Sequence, residues 1–273
     1  MIHLFHLFSN NSGFSEASIF VASLIICWNI ESLAGLATNY RKWKHAFVNS
    51  HFILTGMLPQ LLVGILFVRT IHWTHEHHFG LTYHMGIGRN KWYLFLATFV
   101  LLDLGEYVYH VLMHKIRPLW LFHAVHHSDH FVDVSTTLRE HPGENLIRNC
   151  FTLLWVAATG AVFRTFFLRQ LIQIVSNIFV HMHYRLPDKL DSIVGMIFVT
   201  PNIHHVHHHF ERPYTDCNYG DVLSIWDHLF GTFRMLPCEQ IIFGVDIMMD
   251  QKINSRYIPL MKFPFGRHKR RLP

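Results

Sequence analysis

The chain has 273 residues, of which 51% are hydrophobic and only 15% charged, with a mean hydropathy of +0.21. A soluble domain carries about 25% charged residues, so an ordinary soluble enzyme is excluded, as are disordered and fibrous classes. The net charge of +5 does not point to nucleic acid, because the basic residues are scattered apart from Arg41–Lys44 and the tail Arg267–Arg271; both clusters read as cytosolic, lipid-facing anchors.

Taken in order, three stretches are long enough to span a bilayer, which needs about 20 helical residues. They are Ala17–Ala37, interrupted by Asn29 and Glu31; Phe52–Ile71, with a kink expected at Pro59; and Trp92–Leu112. A fourth apolar region, Leu146–His181, is split by Gly160 and Arg164 and predicts two shorter helices folded as a hairpin. The last third is polar and histidine-rich, with no further span. The expected fold is therefore an all-α integral membrane protein of about three spans plus a membrane hairpin, carrying a helical, His-rich cap. Residues 1–91 read as an N-terminal transmembrane region, 92–232 as the catalytic part and 233–273 as a basic tail. The basic loop Arg41–Lys44 sets the cap on the cytosolic side. The opening Met1–Phe5 lacks the basic stretch of a signal peptide, so no cleaved leader is expected. Cys27, Cys150, Cys217 and Cys238 form no CxxC pair and are expected to be reduced.

The chain holds 25 histidines, and histidine is the commonest metal ligand. Four groups stand out. His110 and His114 are four residues apart, on one face of the third span's end. His123, His126 and His127 repeat the logic as HxxHH, and so do His204, His207 and His208. His181 lies at the expected membrane exit. In HxxHH the first and third residues share a helix face, while the adjacent pair can serve two metals. His205, His209 and His183 are read as lying outside the ligand set. Asp103 and Glu106 continue the stripe below His110; acidic residues inside a span are functional candidates, here as acceptors for the ligands' second ring nitrogens. The loop His72-Trp-Thr-His75-Glu-His77-His78 imitates a metal motif, but the topology puts it on the opposite side, where it reads as an interfacial loop.

Leu119-Trp-Leu-Phe-His-Ala-Val-His-His-Ser128, Arg139-Glu-His-Pro-Gly-Glu144, Thr200-Pro-Asn-Ile-His-His-Val-His-His208, Asn218-Tyr-Gly-Asp221 and Trp226-Asp-His-Leu-Phe-Gly-Thr232 together resemble the fatty acid hydroxylase/sterol desaturase superfamily. The resemblance runs from about Trp92 to Thr232. It implies an integral membrane, O₂-dependent oxidoreductase with two iron ions in an all-histidine centre. Carried over position by position, the ligands would be His110, His114, His123, His126, His127, His181, His204, His207 and His208. Some family members have a histidine where this chain has Asn177, so one iron has one protein ligand fewer or Asn177 holds a water. Nitrogen ligands alone suit zinc, copper and nickel as well; the choice of iron comes from the resemblance.

The chemistry so implied is hydroxylation, or desaturation, of a lipid C–H bond, with a sterol or fatty-acyl type of substrate. No nucleotide or flavin motif is present, so an external electron donor, a separate electron-transfer protein or reductase, is expected. Asp227 either orients a ligand or caps a turn. Arg139, His141 and Glu144 either form a charged network beside the centre or serve structure alone. The localisation implied is a bacterial inner membrane or the endoplasmic reticulum. A divalent-metal transporter or metal sensor, and a scaffold with a degenerate centre, are the competing classes.

Overall fold

The computed structural model describes residues 12–33, 40–86 and 91–266. The end of the first expected span, 34–37, and the last part of the expected tail, 267–273, lie outside them. The described residues are helical, with no strand and only two isolated bridges, Phe198 to Leu223 and His209 to Phe243.

Helix α1, Ser12–Leu33, lays Phe20, Leu24 and Cys27 against buried Val134, Ile178 and Met182. Its Glu31 is fully buried and accepts the backbone N–H groups of Val134 at 3.2 Å and His183 at 2.5 Å, while Lys42 pairs with it at 2.7 Å. The residue that interrupts the apolar run is thus the one that fastens α1 to the rest. Helix α2, Lys42–Glu76, continues through Pro59 and is 35 residues long, about 50 Å at 1.5 Å per residue. It buries Asn49, Phe52, Gly56, Pro59 and Val63, spaced by threes and fours along one stripe. Leu54, Leu58, Leu61, Leu62 and Ile65 point outward and are well exposed.

Helix α3, Lys91–Lys115, crosses α5, Pro142–Thr159, at Gly105. A Cβ there would stand 2.4 Å from the Trp155 ring, whose Nε1 donates to the Leu101 carbonyl at 2.6 Å. Helix α4, Arg117–His127, follows α3 after a sharp turn at Ile116. The apolar run is broken into two helices, α5 and α6, Phe163–His181, joined by a turn at 160–162; both pack on α3 rather than along each other as a closed hairpin. Pro142 starts α5, with the His141 ring accepting the Gly143 N–H at 2.9 Å, and Gly160 ends it in the left-handed region at φ 70°. The two helices are about 27 Å long, long enough to carry the tip from the histidine end to the turn after α2. There Thr82 donates to the Gly160 carbonyl at 3.1 Å, and Gly80, at φ 113°, lies so close that its Cβ would fall 2.3 Å from the Gly160 nitrogen. Ile71, Leu102, Val156 and Ala161 close this end with a small apolar cluster.

The other end is built from α4, a short turn at Val134–Leu138, α7, Asp188–Val194, α8, Pro201–His207, and α9, Ile225–Phe230. Its hub is the fully buried Arg139, which donates to the carbonyls of Val125 and Asn254, to Asn49 and to Ser128 at 2.8–3.2 Å. All four cysteines are unbridged. Among the described residues, two stretches, Lys42–His84 and Trp92–Lys115, are long and apolar enough to cross a membrane. The apolar part of α1, Ala17–Leu33, is shorter.

Candidate metal centre

Each local structure carries its histidines to one place. The last turn of α3 presents His110 and His114, α4 presents His123, His126 and His127, and α6 ends on His181. Helix α8 is started by Pro201 and by Thr200, whose hydroxyl oxygen accepts the Ile203 N–H at 3.3 Å and whose O–H donates to Asp191 at 2.5 Å. That pins His204, His207 and His208 in register. The nine histidines gather into two groups: His110, His114, His123, His127 and His207 in one, His126, His181, His204 and His208 in the other. Within each, one ring nitrogen per residue lies within 4.8 Å of all the others. Both adjacent pairs, His126–His127 and His207–His208, are split between the groups. The groups touch where the His127 and His208 rings stack at 4.5 Å.

The ring nitrogens show what the arrangement can hold. His110 Nδ1 faces the Tyr219 carbonyl at 2.9 Å, His181 Nδ1 the Asn177 carbonyl at 2.7 Å, and His207 Nδ1 the Cys217 carbonyl at 2.6 Å. His123 Nδ1 faces Glu144 Oε1 at 2.6 Å. A carbonyl or carboxylate only accepts, so in each neutral ring Nδ1 carries the proton and Nε2 is a bare lone pair. Yet His110 Nε2 and His123 Nε2 are 3.1 Å apart, and His181 Nε2 lies 3.1 Å from His126 Nε2 and 3.0 Å from His204 Nε2. No proton is left for the His110–His123 contact. His114 and His207 also have buried nitrogens with no hydrogen-bond partner. Burial, reinforced by neighbouring imidazoles, holds His126, His127, His204 and His208 well below the ordinary histidine value, and burial puts His207 at about 3. Converging neutral nitrogen lone pairs in a buried site fit two metal cations.

The supporting residues differ from expectation. Asp103 meets no histidine: it accepts the N–H groups of Val222 and Leu223 at 3.3 and 3.2 Å and the Trp226 indole at 2.8 Å. Glu106 pairs with Arg148 at 3.1 Å. Asp103 lies two turns from His110, and Glu106, one turn away, is held by Arg148, so the His110 Nδ1 turns instead to a backbone carbonyl. Asp227 caps a turn, accepting the Tyr219 and Gly220 N–H groups at 2.7 and 2.8 Å and the Thr232 hydroxyl at 2.7 Å; it thereby fixes the carbonyl that holds His110. Asn177 likewise acts through its backbone, its side chain accepting from Thr137 at 2.6 Å. Of Arg139, His141 and Glu144, only Glu144 touches one of the nine. His205, His209 and His183 stay outside both groups, the last turned to the Val132 carbonyl at 3.2 Å. The His72–His78 segment is exposed at the far end of α2, with His75 against the Tyr83 hydroxyl.

One feature escaped sequence reading. His45 of α2 is held between Asp129 at 2.7 Å and Asp133 at 3.1 Å, and Tyr40 donates to Asp133. Asp129 directly follows HxxHH-Ser and was the available signal; the partner 84 residues upstream was not readable. A cavity of about 580 Å³ opens beside the histidines. His110, His123, His126, His181 and His204 line it, together with apolar Phe20, Phe52, Ile53, Met57 and Ile174 and polar Glu106, Glu140, Arg148, Gln170 and Gln173.

With this geometry in hand, the comparisons with known proteins define the class. The fatty acid hydroxylase family model matches residues 95–232, half of the chain, and the chain belongs to that family. Among its relatives, an ornithine lipid hydroxylase of Rhizobium tropici is 28% identical over 70% of this chain and 57% of its own length. The alkylglycerol monooxygenase of Danio rerio is 32% identical over 57% of this chain and 33% of its own, and the cholesterol 25-hydroxylase of Mus musculus 28% identical over 59% and 52%. The chain thus spans between a third and somewhat over half of the curated relatives it matches. No solved structure matches it significantly.

Proposed function

We propose that this chain is an O₂-dependent lipid hydroxylase of the membrane, with one iron ion held by His110, His114, His123, His127 and His207 and a second by His126, His181, His204 and His208. The observation that carries the reading is the pairing of two buried, proton-poor histidine groups with a 580 Å³ cavity that reaches five of their rings. Family membership and relatives named for ornithine lipid, alkylglycerol and cholesterol support a lipid as the class of substrate. Bound iron would supply reductive O₂ activation and hydrogen abstraction from an unactivated C–H bond. This chain's own residues do the rest. Glu144 and the carbonyls of Tyr219, Asn177 and Cys217 fix the ring tautomers and their aim. The apolar lining residues accept the lipid chain and keep water off it, while the polar ones accept hydroxyl or head-group atoms. Electrons come from a separate reductase or electron-transfer protein.

In this reading the exposed leucine and isoleucine belt of α2 faces lipid, α1, α2 and α3 span the membrane, and the α5–α6 pair enters beside them. The cap faces the cytosol. Residues 1–91 anchor the catalytic unit 92–232, and 233–273 form the basic tail. Hydroxylation is preferred to desaturation because it requires one C–H bond held near the oxidant rather than two adjacent ones. A transporter fits less well, since its sites lie near the bilayer midplane on broken helices, whereas these histidines lie at helix ends. Purified protein tests the proposal: two irons per chain and O₂-dependent oxidation of added lipid support it, and metal flux without lipid oxidation contradicts it.

A further inference from the structure

We infer that the surface around Trp120 is the docking site for an acidic one-electron redox protein, and that the Trp120 ring bridges the electron's path to the histidine groups. The inference rests on the di-metal reading above. Among the described residues, two non-histidine rings touch the nine histidines: Tyr219 and Trp120. Tyr219 has no exposed surface. Trp120 is part-exposed, and its ring centroid lies 4.7 Å from His114, 5.4 Å from His127 and 6.2 Å from His123. The cavity is lined by neither Trp120, His114 nor His127. The exposed part of this ring therefore opens elsewhere, leaving the cavity to the substrate.

The surroundings carry the charge that such a partner needs. Lys115 and Arg117 bracket the start of α4, and Arg212 joins Lys115 on Asp216 at 3.4 and 3.0 Å. Lys115 and Arg212 are more than half exposed. Asp216 offsets part of this charge. Redox encounters are weak and small, about 1,200 Å² or less, and are steered by opposite charge, so one basic rim around a conducting ring is enough. Each encounter moves one electron. The partner's haem or iron–sulfur centre is oxidised by one, one metal ion of the histidine centre is reduced by one, and Trp120 is unchanged. Two encounters, with two protons and one O₂, supply one hydroxylation and one water.

The test uses the full iron-loaded chain in lipid nanodiscs, with a reduced acidic [2Fe–2S] ferredoxin as probe and dithionite as a small reductant. Spectroscopic reduction of the centre is followed. Trp120→Leu should slow reduction by ferredoxin about tenfold while leaving the dithionite rate and iron content unchanged, and Trp120→Phe should restore most of it. The double variant Lys115→Glu, Arg117→Glu should weaken ferredoxin binding about tenfold and flatten its dependence on ionic strength, again without touching the dithionite rate. Wild-type ferredoxin rates in both the leucine and the double variant overturn the inference, as does a wild-type centre that dithionite reduces and ferredoxin does not. A chain that holds no reducible iron strikes at the di-metal reading itself.

Discussion

Glu144 stands 21 residues from His123 in the chain, and its Oε1 meets that ring at 2.6 Å because α5 begins beside α4. A carboxylate on Nδ1 raises the basicity of the opposite nitrogen and locks the ring's aim, so Glu144→Gln should lower metal affinity about 10- to 100-fold. Competition with a chromophoric chelator measures this, and an unchanged affinity would contradict the role. His114→Ala and His207→Ala each remove a nitrogen from the five-membered group and should cost the chain bound iron, whereas His75→Ala should keep it. Metal analysis of the purified variants decides; a His75→Ala as depleted as His207→Ala would break the assignment of the His72–His78 loop to the far end. At this scale the sequence was informative wherever helical spacing does the work. HxxxH and HxxHH put rings on one face by geometry alone. What spacing cannot show is a contact across the fold: the sorting of adjacent histidines into different groups, the Glu144 contact, and the backbone carbonyls that replaced Asp103 and Glu106 as partners.

The break between α5 and α6 was legible because Gly160 and Arg164 interrupt an otherwise apolar run, and a glycine in the left-handed region is the usual way to end a helix. The docking of the pair was not legible. Gly80 and Gly160 meet backbone to backbone, with 2.3 Å left for a Cβ, although 80 residues separate them in the sequence. Gly80→Ala adds both that clash and strain at φ 113° and should cost about 1–3 kcal/mol or more. Gly86→Ala is the control, since nothing lies within 4 Å of its Cβ. Its φ of 63° carries the same kind of backbone strain without the clash. Thermal unfolding in detergent should show the first variant well below the second; equal midpoints would mean that the tip does not seat where it is described. Helix α1 makes the complementary point. Glu31 reads from sequence as a flaw in a span, and in the fold it is the buried acceptor that ties α1 to Lys42, Val134 and His183.

For the whole molecule, the long α2 separates two ends. His45, at one end, lies beside Asp129 near the histidine groups, and His75 lies 30 residues on, about 45 Å along the helix. With α2 spanning the membrane, His75→Cys and Arg212→Cys should be labelled by an impermeant thiol reagent from opposite sides of sealed vesicles. Labelling of both from one side would contradict the two-sided arrangement. Composition and hydropathy reached the all-helical class, but the cavity was beyond them, since its lining comes from α1, α2, α3, α5, α6 and the histidine end together. The central claim is that this cavity presents a lipid C–H bond to an oxygen-activating iron centre. Incubation of the iron-loaded chain with lipid and a reductase under ¹⁸O₂, followed by mass spectrometry, tests it most directly. The account predicts a lipid heavier by one ¹⁸O atom, absent when iron is removed; a lipid that loses two hydrogens without gaining label, or that gains oxygen without iron, would contradict it.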